Sequence, residues 1–267
     1  MNFRQILITL TLSLFFIACA KVPLTGRKQF NLLPESQMIG MSSVAYVDFL
    51  KESQVTSLKD SDARMVKSVG EKISAAVEKY LADNGESKRV EGFNWEFKLV
   101  QDPAVNAWCM PGGKVVVYTG ILPITMDEAG LAVVMGHEVA HAIARHGNER
   151  MSTTILAQVG LTTLGAVLEQ KPQMANDMIL TAAGVGTQLG LLKFSRNHES
   201  EADKMGLVFM AMAGYNPENA PAFWERMAAA GGGAPPEFLS THPSHDTRIN
   251  DLNEYMIEAK KYYTPSK

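Results

Sequence analysis

One stretch constrains this chain more than any other: Met135-Gly136-His137-Glu138-Val139-Ala140-His141-Ala142. On a helix, residues i and i+4 stand one above the other on the same face. His137 and His141 can therefore direct both imidazoles at one metal ion, and Glu138 sits where it can take a proton from a water that the ion activates. The flanking residues Leu131, Ala132, Val133, Val134, Val139 and Ile143 are apolar. They predict a buried helix over roughly 128–146, with Gly147 as its stop signal. Histidines in so apolar a segment need partners for their ring nitrogens. A shared metal supplies one, and bonds to backbone carbonyls are the plainer alternative.

A third ligand separates these readings. A third histidine six residues after the second is absent, since Gly147 occupies that position. His146 follows His141 by five residues, about 140° round a helix at 100° per residue, which suits a solvated helix end near the negative pole of the macrodipole. A carboxylate from a later helix is the better candidate. Glu199 and Asp203 are spaced i and i+4 and share a face, so Glu199 can bind the metal while Asp203 accepts the free ring N–H of a liganding histidine. Glu201 lies about 200° from Glu199 and faces elsewhere.

The chain has 267 residues and a net charge of −3. It has no basic excess of the kind that marks a nucleic-acid binder, so no nucleic-acid partner is expected. Residues 1–18 read as a signal peptide: Arg4 supplies a positive start and Ile6 to Ile17 a mostly apolar run, short for a membrane span. Phe16-Ile17-Ala18-Cys19 resembles a bacterial lipobox, which makes Cys19 a lipidation site and leaves Cys109 as a lone thiol. Residues 19–33 read as a flexible, lipid-anchored tether and 34–267 as one domain. Apolar spacing predicts helices over 35–51 and 63–81. Alternation at Trp95, Phe97 and Leu99 predicts a strand. The Pro111-Gly112-Gly113 turn leads into a β-prone run from Val115 to Tyr118, which reads equally as a sheet edge that a peptide substrate joins or as an ordinary hairpin in the core. Residues 151–168 and 178–192 carry almost no charge and read as a helical hairpin packed over the cleft rather than as membrane contact. Further helices are expected from Phe194 to Gly214, from Pro217 to Met227 and after Arg248, with a flexible Gly/Pro break at 231–236.

Four motifs in order resemble one family: the His137-Glu138-x-x-His141 helix, Glu199-x-x-x-Asp203, the Asn106-Ala107 to Gly113 hairpin, and Thr241-His242-Pro243 with Arg248-Ile249. It is the zinc endopeptidase family that includes HtpX and the CAAX prenyl protease. The likeness points to its secreted bacterial branch, periplasmic lipoproteins such as LoiP and BepA, here without a helical-repeat tail. The resemblance implies an α+β fold, mainly α: a zincin-like (gluzincin) domain with a small sheet beside the metal helix. It implies one Zn2+ per chain, hydrolysis of misfolded or unassembled envelope proteins, and a lipid-anchored protein in the periplasm at the outer membrane. It also implies that His242 approaches the metal, as a fourth ligand that holds the enzyme latent or as a donor to the oxyanion. Arg248 is then expected to orient Glu138 or the loop that carries His242. A rival reading is an envelope chaperone or scaffold with a closed metal site, which activity lost with Glu138 would exclude.

Overall fold

The computed structural model describes residues 19–159, 195–230, 237–242 and 247–265. The signal-peptide segment, the Gly/Pro break at 231–236 and residues 160–194 of the expected helical hairpin lie outside them. Among the described residues no helix is long and apolar enough to cross a membrane.

Over the described residues the architecture is mainly helical with two small sheets. Strands β1 (Cys19–Lys21) and β2 (Lys28–Phe30) pair antiparallel, with Cys19, the expected lipidation site, opposite Phe30. Helices α1 (Glu35–Glu52) and α2 (Ser61–Asp83) follow. The Asp60 carboxylate starts α2 by accepting from the backbone N–H groups of Asp62 and Ala63, two donors that a helix start leaves unmet. Strands β3 (Glu96–Val100), β4 (Ala107–Met110) and β5 (Lys114–Tyr118) form a sheet in the order β3-β5-β4. Next come a single turn α3 (Leu122–Thr125), the metal helix α4 (Glu128–Ile143) and α5 (His146–Val159). After the undescribed segment, α6 (Arg196–Met212), α7 (Asn219–Ala229), the short α8 (Glu237–Thr241) and α9 (Arg248–Ala259) complete the chain.

The Val115–Tyr118 run is not the sheet edge. It is the central strand, parallel to β3 on one side and antiparallel to β4 on the other. Burial on both faces explains its unbroken apolar sequence. Val115 and Val117 join the main core with α2 and α4, while Val116 packs with Trp108 and Tyr46 beneath α1. The edge next to the metal helix is β4.

Helix α4 is apolar on all sides because it runs through the middle of the domain, with every residue from Gly130 to Ile143 buried. It ends earlier than its sequence implies, and Gly147 does not stop it. Arg145 takes the left-handed turn at φ 57°, and Gly147 lies inside α5. Side chains from elsewhere meet the last carbonyls: Arg89 Nε donates to Ile143 O and Gln29 Nε2 to Ala144 O, both at 2.6 Å. Gln29 belongs to the segment expected as a flexible tether. That segment instead packs as a hairpin on the domain, with Val22 and Gln29 buried.

Candidate metal centre

Helix α4 supplies His137, Glu138 and His141. Helix α6 crosses it so closely that a Cβ on Gly206 would lie 2.8 Å from His137 N, and one on Gly136 would lie 2.8 Å from Gly206 O. Two glycines facing each other remove the side chains that would hold the helices apart. Asp203 and Glu199, about one and two turns before Gly206, are thereby brought to the histidines.

One ligand atom each from His137, His141, Glu199 and His242 lies within 4.8 Å of all the others, and all four residues are buried. His141 Nε2 is 3.1 Å from His137 Nε2 and 3.3 Å from Glu199 Oε1. His242 Nδ1 is 3.1 Å from Glu199 Oε1 and 3.3 Å from His137 Nε2, while its Nε2 stands 3.6 Å from Glu138 Oε1. His242 follows α8, is joined to it by a bond from His242 N to Phe238 O, and stacks on the Phe238 ring. Phe238 N in turn donates to Val105 O, just before the edge strand β4.

These residues suit a divalent cation. Three imidazoles and a carboxylate are a donor set for a first-row metal. Glu199 Oε2 and Glu138 Oε1 are buried acceptors that make no hydrogen bond. The electrostatics agree with this. Burial pushes the Glu199 carboxyl up, but the three histidines around it outweigh burial and hold it well below the usual range, so it is a ready anionic ligand. Burial lowers the His137 ring, yet its bonds to Asp203 and Glu199 outweigh burial and raise it to about 9. Burial also lowers His141, well below an ordinary histidine, and raises the Glu138 carboxyl.

Asp203 Oδ1 accepts from His137 Nδ1 at 2.9 Å, which leaves the His137 Nε2 lone pair facing the cluster. Arg248 does not orient Glu138. Its Nη2 donates to Asp203 Oδ1 at 2.6 Å and comes within 3.6 Å of Glu199 Oε2, and its guanidinium stacks 3.3 Å over the Trp224 ring. The reason is the fold: α9 packs along α6, so an N-terminal residue of α9 meets the acidic face of α6.

His146 also departs from expectation. It is fully buried, with Nδ1 2.9 Å from His141 Nδ1 and Nε2 2.9 Å from Glu201 Oε2. Because the chain turns at Arg145, a helical wheel carried past Ile143 misplaces it. Glu201 does face away from the four-residue cluster, but towards His146 and, across the hairpin, Thr25 and Arg27. No local sequence signal marks these long-range partners.

Comparison with known proteins gives a consistent answer. The mitochondrial metalloendopeptidase OMA1 of Schizosaccharomyces pombe is 34% identical over 92% of this chain and 69% of its own length. OMA1 of Arabidopsis thaliana is 36% identical over 86% of this chain and 43% of its own length. The beta-barrel assembly-enhancing protease of Escherichia coli is 32% identical over 59% of this chain and 33% of its own length. The likeness to the bacterial envelope enzymes is therefore real but partial. The expected periplasmic, outer-membrane location is overturned, because the relatives aligned over most of the chain are mitochondrial proteins. The profile of Peptidase family M48 matches residues 68–256, from α2 through α4 and α6 to α9. On that match, and on relatives that are themselves named metalloendopeptidases, the chain belongs to Peptidase family M48.

Proposed function

We propose that the protein is a zinc endopeptidase in which His137, His141 and Glu199 hold the ion and Glu138 moves the proton. The observation that carries this is the convergence of four buried ligand atoms within 4.8 Å, with the Glu138 carboxylate beside them. Zinc, when bound, supplies Lewis acidity towards water and the scissile carbonyl. The remaining chemistry belongs to side chains. Glu138 Oε1 makes no hydrogen bond, and burial raises its carboxyl, opposed by His242 and His137. A carboxylate held in this way takes a proton from the attacking water and releases it to the leaving amine. Asp203 keeps the His137 proton on Nδ1, and Arg248 keeps Asp203 in place.

The substrates we propose are unfolded or unassembled proteins. The bacterial relatives are named for β-barrel assembly, and unassembled proteins are the class that this name suggests. Metal analysis with a peptidase assay on an unfolded protein tests the reading, with wild type beside Glu138→Gln. About one zinc per chain is expected in both, with activity in the wild type alone. Full activity in Glu138→Gln would refute the mechanism. Metal without activity in either protein would favour the chaperone or scaffold.

His242 supports a second element, latency. Its ring fills the side of the cluster facing Glu138, 3.3 Å from His137 Nε2 and 3.6 Å from Glu138 Oε1. A histidine there competes with water for the metal and for the base. We therefore assign it as a latch carried by α8, in preference to an oxyanion donor.

A further inference from the structure

The two liganding histidines of α4 are oriented differently. His137 leans directly on a carboxylate, Asp203. The partner of His141 Nδ1 is another histidine, His146 Nδ1, at 2.9 Å. We propose that His146 and Glu201 are positioning residues for His141, and that the N-terminal hairpin, through Thr25 and Arg27, holds them in place. This inference rests on the reading of His141 as a metal ligand.

The hydrogen bonds allow one consistent order. His141 Nε2 faces His137 Nε2 and Glu199 Oε1, so its lone pair must point into the cluster and its proton must sit on Nδ1. That N–H donates to His146 Nδ1, which must therefore be the acceptor nitrogen, and the proton of His146 is placed on Nε2. There it donates to Glu201 Oε2 at 2.9 Å. A carboxylate thus fixes the tautomer of His141 through one intervening ring, in the way that a directly bonded carboxylate does for metal-bound histidines in general.

Glu201 is itself held. Thr25 Oγ1 donates to its Oε1 and Arg27 Nε to its Oε2 at 2.7 Å. Arg27 also grips Glu149 of α5 with both Nη atoms, at 2.8 and 2.7 Å, and Glu149 meets His198 Nε2 at 3.2 Å. The His198 ring stacks on His146 at 4.4 Å. Residues near the start of the described chain therefore reach the metal site through three links, from Arg27 to Glu201 to His146 to His141.

The test is chelator competition for zinc and the visible spectrum of the cobalt(II)-loaded full-length protein, alongside thermal unfolding of the metal-free form. His146→Phe keeps a ring but removes the acceptor. It is expected to weaken zinc binding about 10- to 100-fold and to shift the cobalt spectrum, the range seen when an outer-shell partner is lost. His146→Gln can accept from His141 and donate to Glu201, and is expected to restore much of the affinity. Arg27→Gln and Glu201→Gln should weaken zinc several-fold. Wild-type zinc affinity and cobalt spectrum in His146→Phe would overturn the proposal. If His146→Phe fails to fold, Arg27→Gln and Glu201→Gln decide, and wild-type affinity in both would overturn it. His141→Ala serves as reference. If it still binds the ion, the metal-site reading itself has failed; if it loses the ion while the other variants keep it, only this inference falls.

Discussion

At the residue scale, burial and ligand geometry separate carboxylates that look alike in sequence. Glu199 is fully buried in the cluster, while Glu201 sits one helical half-turn away against His146. Glu199→Gln should therefore reduce zinc affinity much more than Glu201→Gln in a chelator competition; the reverse order would mean that the wrong carboxylate has been assigned. Glu138→Gln removes a proton carrier and leaves the ligands intact. It should retain the metal and lose about 10²- to 10⁴-fold in kcat, the usual contribution of a positioned general base. His242→Ala discriminates between its two roles. A latch gives faster turnover of an unfolded substrate with zinc retained, and an oxyanion donor gives a large fall in kcat. Unchanged kinetics would remove His242 from both.

At the scale of elements, the centre depends on how closely α4 and α6 approach. Gly206→Ala is a substitution that helix propensity alone would favour by about 1 kcal/mol. Here the new Cβ would lie 2.8 Å from His137 N and 3.0 Å from Gly136 C, backbone atoms that cannot swing aside. The helices must separate, at a cost of about 1–3 kcal/mol typical of overpacking, and Glu199 and Asp203 move with α6. A lower Tm and weaker zinc binding are expected together. A higher Tm with wild-type affinity would show that the crossing has room to spare. The helices themselves were legible. Val66, Val69, Ile73 and Val77 repeat at helical spacing, and all are buried in α2. The strand from Val115 was legible as a strand but not as a central one. A short apolar run reports burial on two faces only when the neighbouring strands are known.

At the scale of the whole molecule, the N-terminal hairpin is stapled to α5 by the Arg27–Glu149 pair, with side chains 32% and 14% exposed. Burial pushes the Glu149 carboxyl up, but its bonds to Arg27 and His198 outweigh this and hold it well below the ordinary value of 4.5. A carboxyl depressed in the folded state adds stability that is present above its unfolded value and lost as pH falls through the folded one. Denaturation midpoints measured from neutral pH down through the carboxylate range should therefore fall on acidification, and Glu149→Gln should lessen that fall. An identical pH profile in the variant would place the acid sensitivity elsewhere.

The sequence by itself determined the local chemistry. A helix places His137 over His141 and Glu199 over Asp203, because spacing of i and i+4 is a property of the helix and needs no tertiary contact. Glu138 next to a ligand, the turn at Gly112-Gly113 and the start of α6 at Ser195, whose Oγ accepts from His198 N, are likewise local. Only the tertiary structure decided which side of the sheet is an edge, where Arg248 points, and that His146 is buried between His141 and Glu201 rather than at a solvated helix end. It also packed an apparent tether against the domain, where Thr25 and Arg27 bond to Glu201. These outcomes rest on contacts such as Thr25 to Glu201, 176 residues apart, and Arg89 to Ile143, 54 apart. A hydrogen bond across such a separation leaves no periodicity in either segment, because each partner is simply a polar residue until the chain has folded.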